Sequence, residues 1–184
     1  RKRYGSGMAN TYRDTLRDIA YDNHGYVTTQ DAEDVGVPAV ELRKLAARGS
    51  LRNVGYGVYR MTDIPATAED QFAEATLRVG EDAHLRGETV LALLGLANVN
   101  PKKLTVGTPH RGRRTMPEHV KVVRAHGDTR VTRYHGIRAQ RVDDALLECR
   151  GHVPNIELRE AALQARKEGL LTTKEWDRVR QAFA

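Results

Sequence analysis

The chain has 184 residues, 40% of them hydrophobic, so it can bury one medium-sized core or two small ones. Its single cysteine, Cys149, excludes an intrachain disulfide framework and a multi-cysteine zinc site, which fits a reducing compartment. The sequence contains neither an apolar run of about 18 residues nor an early signal peptide, so we expect a cytoplasmic protein that does not enter a membrane.

Residues 1–7, RKRYGSG, have the character of vector-derived sequence, because Met8 is a suitable native start and Gly-Ser-Gly is typical of linkers. These residues contribute three of the positive charges that give the chain a formal net charge of +6. The sequence pI of about 9.6 therefore overstates how basic residues 8–184 are.

The first predicted helix opens at Asn10 or Thr11 and runs to about His24. Its spacing places four side chains on one face, and we expect that face to pack into the core of the first domain: Tyr12, Leu16, Ile19 and Ala20.

A short strand at Val27 leads into the second predicted helix. Thr28 or Thr29 can cap this helix, and Gly36 ends it. Acidic side chains in its first turn suit the positive end of the helix dipole.

A third helix is predicted from Pro38 to Arg48, after a sharp turn at Val37. We expect Pro38 at its first helical position, and Gly49 provides a left-handed cap at its end. Its inward side chains are predicted to be Val40, Leu42, Leu45 and Ala46.

Two short apolar runs, 51–54 and 58–61, follow this helix. Gly55-Tyr56-Gly57 joins them, and its two glycines permit the positive φ angles of a tight hairpin. Helix, turn, helix, glycine cap and hairpin in about 35 residues predict a winged helix-turn-helix, the DNA-binding motif, within residues 8–64.

Charge segregates within this motif. Residues 42–62 contain five basic side chains and no acidic one. We therefore expect Arg43, Lys44 and Arg48 to approach the major groove, with Arg43 as the best base reader. The predicted phosphate contacts are Thr28, Thr29, Gln30, Arg52, Tyr56 and Arg60. The alternative is an ordinary solvated helix face.

A second domain is expected at residues 65–184, after a boundary near Pro65. Its most apolar segment, 87–95, is predicted to be a buried central helix, and other helices are expected over 67–79, 143–149, 155–169 and from Leu171 to the end. Strands are predicted at 104–106, 120–124 and 132–134. The fold class is therefore α+β, a winged helix-turn-helix followed by a mixed α/β domain.

Residues 102–141 hold 11 basic side chains against two acidic ones. The densest part forms a second basic surface, for which we expect contact either with DNA phosphates or with an acidic protein partner: Lys102, Lys103, Arg111, Arg113 and Arg114.

The residues that enzymes need do not occur in recognisable patterns. The seven histidines show no zinc-binding spacing, and the sequence lacks the glycine-rich nucleotide loops and the nucleophile motifs. Glu118 and Lys121 have neither the spacing nor the acidic partner of a nuclease site. We expect no catalysis, no metal and no cofactor.

Two patterns resemble the AbiEi family of antitoxins. The first joins Thr28, Ala32, Gly36, Val37, Leu42, Leu45, Gly49 and Leu51 to the sequence GVYR at 57–60. The second is ETVLALLGL at 88–96, LTV at 104–106 and VDDALLE from Val142. The first pattern is shared with many winged-helix repressors, so the second carries the distinction.

The resemblance implies an autorepressor that binds inverted repeats in its own promoter. It also implies antagonism of a co-encoded nucleotidyltransferase toxin, directly or only functionally, in a toxin-antitoxin system of the abortive-infection type. Two alternatives remain. One is a conventional winged-helix regulator whose second domain binds a ligand, and the other is a protein-interaction module that neutralises a partner enzyme.

Overall fold

The computed structural model describes residues 11–110 and 115–183. The chain divides into two compact units, residues 1–70 and residues 71–184. The predicted boundary near Pro65 precedes this division, which falls at the first residue of a helix.

The described residues of the first unit, from residue 11 onward, form three helices and three strands. In chain order these are α1 (Tyr12–Asp22), β1 (Tyr26–Thr28), α2 (Thr29–Asp34), α3 (Ala39–Ala47), β2 (Leu51–Gly55) and β3 (Val58–Met61). The strands form an antiparallel sheet in the order β1-β3-β2. Every predicted element of the winged helix-turn-helix is therefore present.

One apolar core holds this unit together. Leu16 on α1, Leu42 on α3 and Met61 on β3 are all inaccessible to solvent and belong to the same cluster. Burial of each such side chain stabilises the fold by about 1.5–3 kcal/mol relative to exposure. Tyr12, predicted inward, is 49% exposed because it lies in the first turn of α1, before the part of the helix that the core covers.

The second unit begins within α4 (Asp70–Val79) and contains β4 (His84–Leu85), α5 (Glu88–Leu93), β5 (Leu104–Thr108), β6 (Val120–Arg124), β7 (Val131–Tyr134), β8 (Ile137–Gln140), α6 (Val142–Glu148), α7 (Asn155–Lys167) and α8 (Thr173–Ala182). The five strands among the described residues of this unit form a mixed sheet in the order β6-β5-β4-β8-β7. The predicted α+β class is correct.

The sheet contains two strands that the sequence did not predict. β4 has only two residues, and β8, with the sequence IRAQ, alternates apolar and polar side chains over only four residues, a run too short to predict a strand firmly. Both nevertheless lie inside the sheet. β4 pairs with β5 and β8, and β8 pairs with β4 and β7. The three predicted strands correspond to β5, β6 and β7.

The predicted central helix is confirmed by α5, where Val90 and Leu91 are inaccessible to solvent. Buried charges then join α6 to α8. Asp143 is fully buried and accepts hydrogen bonds from Arg130 and Arg178. These ionic contacts, besides the apolar core, fix the last helix of the unit. Ile156 on α7 is exposed.

Candidate nucleic-acid interface

Two local devices position the helix-turn-helix. Thr28 caps α2: its hydroxyl accepts a hydrogen bond from the Asp31 amide at 3.0 Å, and the Asp31 carboxylate accepts from the Thr28 amide at 2.7 Å. Gly36 then adopts a φ of +74°, and Val37 is buried, so the chain turns sharply with one apolar residue anchored in the core.

Pro38 is the N-cap of α3 and not its first helical residue, because its ψ of 139° is extended. The predicted position of Pro38 was therefore one residue too far into the helix. Gly49 adopts a φ of +78° and confirms the predicted left-handed cap.

The helix α3 has one buried face and one exposed face. Leu42 and Leu45 are buried in the core, and residues opposite them at 100° per residue point outward. Val40 lies on the outer face and is 43% exposed, so its predicted inward position was wrong. Because Val40 and Leu42 are two residues apart, about 200° around the helix axis, they cannot share one narrow face.

Positive side chains share the outer face of α3 with Val40. The side chains of Arg43 and Arg48 are exposed and make no hydrogen bond or ion pair with any residue in the described part of the chain. Lys44 is exposed as well, but its Nζ lies 2.8 Å from Glu41 Oε1. The two arginines are thus the α3 cations whose guanidinium groups are available to an external acceptor.

The hairpin of β2 and β3 forms the wing. Tyr56, at its tip, is 80% exposed, and the following Gly57 adopts the positive φ that the turn requires. Gly55 belongs to β2 and does not have a positive φ. Of the two predicted turn glycines, it is therefore Gly57 that the turn requires. Arg52 on β2 is exposed.

Arg60 does not fit the predicted phosphate contact. It is only 9% exposed, and its Nη2 donates to Asp70 Oδ2 at 2.7 Å while its Nη1 donates to the carbonyls of Met61 and Ile64. Burial opposes ionisation of Asp70, but hydrogen bonds from Thr67 and Arg60 lower its pKa below the ordinary value. Arg60 is a structural ion-pair residue.

The start of α2 also differs from expectation. The Thr28 hydroxyl donates to Asp31 at 2.7 Å, so its only hydrogen is used within the capping box and is not available to a phosphate. The Thr29 hydroxyl faces the Gly57 carbonyl, and the exposed Gln30 amide donates to Asp34. For Thr29 and Gln30 a DNA contact stays a prediction.

The second basic surface is described only in part. Lys102 and Lys103 are exposed, just before β5. Arg111, Arg113 and Arg114 lie outside the described residues.

Within residues 11–110 and 115–183, no cluster of three or more histidine, cysteine, aspartate or glutamate side chains has a geometry that could hold a metal ion. In the same ranges, no helix is both long and apolar enough to cross a membrane.

Residues 14–62 match the family model described as transcriptional regulator, AbiEi antitoxin. The match covers nearly all of the winged helix-turn-helix and confirms the resemblance inferred from the first sequence pattern. No curated protein gave a match to the chain.

Proposed function

We propose that this protein is the DNA-binding antitoxin of a toxin-antitoxin system and represses its own promoter. The proposal is supported above all by the outer face of α3, where the side chains of Arg43 and Arg48 have no acceptor among the described residues. A buried pair of arginines would indicate a structural role. Exposed arginines on the second helix of a helix-turn-helix can instead donate hydrogen bonds to base edges and phosphates. The protein acts by binding, without catalysis.

In this proposal α3 enters the major groove and its N-terminal half reads bases. Arg43 is placed for a bidentate contact with guanine, and Arg48, near the C-terminal end of α3, contacts the backbone. Arg52 and Tyr56 of the wing contact flanking phosphates. An inverted repeat is bound by two copies of the chain, with half-sites spaced by about one helical turn or a multiple of it.

A reporter gene placed behind the protein's own promoter tests repression. Full-length protein should lower reporter expression, and combined replacement of Arg43, Arg48 and Arg52 by Ala should restore it. A matched control removes the same number of exposed cations from α7 and α8, with Lys167, Lys174 and Arg180 replaced by Ala, and should repress like the unchanged protein. Equal repression by both triple variants would refute the assignment of this interface.

Antagonism of a nucleotidyltransferase toxin is the second part of the proposal, and it requires its own test. The neighbouring gene should encode such an enzyme, and its expression alone should arrest growth. Co-expression of this protein should restore growth. If the triple variant of the DNA interface still rescues growth from an independent promoter, antagonism does not depend on promoter binding. Failure of the unchanged protein to rescue would remove the antitoxin function and leave a regulator.

A further inference from the structure

A polar cluster lies at the centre of the five-stranded sheet of the second unit. The register pairs Leu85 of β4 with Ala139 of β8, so His84 lies beside Arg138, and Arg86 lies beside Gln140. Alternate residues of a strand share a face. These four side chains therefore project from one face of the sheet.

The neighbouring strand leaves room for this cluster. Gly107 of β5 is paired with His84. A Cβ atom on Gly107 would lie 2.8 Å from His84 Nε2 and 2.7 Å from Arg86 Cδ, closer than real Cβ atoms approach other atoms. Both side chains therefore pack directly over the glycine, and any larger residue there would displace them.

One half of the cluster is hydrogen-bonded through Glu148, although the buried Arg86 Nε has no partner among the described residues. Glu148 Oε2 accepts from Arg86 Nη2 at 2.8 Å and from Gln140 Nε2 at 2.9 Å. Gln140 Oε1 in turn accepts from the Gly87 amide at 3.1 Å. The charge of Arg86 is thus compensated, and Gln140 is held in one orientation.

The other half has donors without acceptors. His84 is only 3% exposed, and neither of its ring nitrogens has a hydrogen-bond partner. Arg138 Nε is buried and equally unpartnered, and Arg138 makes no ion pair with any residue in the described ranges. Leaving such a buried polar group unsatisfied destabilises the fold, and more so when the group is charged.

His84 is held in its neutral form. Burial, together with the charges of Arg86 and Arg138, lowers the pKa of His84 and outweighs the opposing influences of the Asp82 backbone and the Glu148 carboxylate. A neutral imidazole keeps one N–H donor, so it can donate to an anion without adding a charge.

We propose that this face of the sheet binds a phosphate group, with Arg138 as the main ligand and His84 as a second donor. Arg133, exposed on β7, is paired with Arg138 and supplies further positive charge while its Nη1 donates to the Gly136 carbonyl. Glu148, the carboxylate that contacts this cluster, is hydrogen-bonded to Arg86 and Gln140, and neither Arg133 nor Arg138 forms an ion pair with a carboxylate in the described ranges. A phosphate monoester carries a charge of about −1.5 to −2 at neutral pH, which matches these two positive charges better than a single carboxylate does. The phosphate belongs either to a free nucleotide or to a nucleic-acid backbone.

A titration of the full-length protein followed by NMR tests the site. Inorganic phosphate should shift the His84 imidazole and Arg138 Nε signals to a saturating end point. Arg138→Gln should weaken this binding at least tenfold. The control is Arg124→Gln, because Arg124 is an exposed arginine of the same sheet that pairs with Thr108 and therefore projects from the opposite face. This control should bind phosphate like the unchanged protein.

Arg138→Lys keeps the charge but loses the planar fork, so it should bind more weakly than the unchanged protein and more tightly than Arg138→Gln. Equal thermal melting temperatures of the variants would show that folding is intact. If Arg138→Gln has a lower melting temperature than the unchanged protein, two other results decide the question. They are the phosphate affinity of Arg138→Lys and the saturation of the His84 signal in the unchanged protein.

Titrations with a nucleoside triphosphate and with a short single-stranded oligonucleotide distinguish the sources. The probe that saturates the His84 shift at the lower concentration identifies the source of the phosphate. Either result supports the site. A His84 signal that none of the three probes moves would overturn the proposal. A shift that rises linearly without saturation, and equally in the Arg138 and Arg124 variants, would also overturn it.

Discussion

Arg43 and Arg52 are both exposed arginines of the first unit, but they belong to different elements. Arg43 projects from the outer face of α3, and Arg52 lies in the wing. We expect Arg43→Ala to cost about 1–3 kcal/mol on operator DNA and to relax sequence preference, because a bidentate contact with a base is lost.

Arg52→Ala should instead weaken binding to every sequence alike, because a phosphate contact carries no sequence information. Fluorescence anisotropy with operator and random duplexes, at one salt concentration, measures both effects. If each variant lost the same affinity on both duplexes, this division between base and phosphate contacts would be wrong.

Val40 is the large apolar side chain that α3 exposes beside its arginines. Apolar side chains in the major groove contact the methyl group of thymine. We expect that replacing thymine by uracil at one operator position weakens binding of the unchanged protein, and that Val40→Ala binds both duplexes equally. An identical uracil effect in protein and variant would remove Val40 from base recognition.

The environment of a single residue was predictable from sequence where it depends on local neighbours, and not where it depends on distant ones. The exposure of Arg43 and Tyr56 follows from local periodicity, and the structure agrees with it. The burial of Arg60 does not, because its partner Asp70 is ten residues away and beyond the predicted boundary. The central position of His84 also depends on strand pairing, which a two-residue strand gives no pattern to predict.

At the scale of elements, the sequence predicted where helices begin better than it predicted which face of a helix is buried. Thr28 and Thr172 both begin helices through reciprocal bonds with an acidic residue three positions later, a pattern that is complete within four residues. Outward positions such as Ile156 depend on which side of the helix meets a neighbour. Propensity and periodicity alone do not contain that information.

The ion pairs between helices predict acid sensitivity in the second unit. Burial opposes ionisation of Glu175, but the hydrogen bonds from Arg141 and Thr172 prevail and lower its pKa from 4.5 to about 2. A carboxylate whose pKa is lower in the folded state contributes stability above its unfolded pKa, and this contribution is lost as pH falls through the folded value.

Glu175→Gln should therefore destabilise the second unit by about 1–3 kcal/mol at neutral pH, because it leaves the buried part of the network with weaker partners. Its stability should also fall less steeply between about pH 4.5 and pH 2 than that of the unchanged protein. Urea denaturation across this range measures both effects. Asp177→Asn, which alters an exposed carboxylate on the same helix, is the control. Parallel pH profiles for all three proteins would contradict this role of Glu175.

At the scale of the whole molecule, the number of cations on the first unit limits its affinity for DNA. With Arg60 buried, residues 42–62 offer four cations instead of five. Each phosphate neutralised releases about 0.9 counterion, so this unit alone should show a shallow salt dependence.

We propose that the second basic surface supplies the remaining contacts. Replacing Lys102, Lys103, Arg111, Arg113 and Arg114 by Ala in the full-length protein should then flatten the slope of log affinity against log salt. An unchanged slope would instead assign these residues to a protein partner, and loss of toxin neutralisation in the same variant would support that assignment.

The most direct measurement is the equilibrium affinity of the purified full-length protein for the DNA upstream of its own gene, compared with a shuffled duplex of the same base composition at physiological salt. A repressor that reads bases through α3 should bind the upstream DNA at least a thousandfold more tightly, with two protected half-sites in a footprint. Equal affinity for both duplexes would contradict sequence-specific repression by this protein.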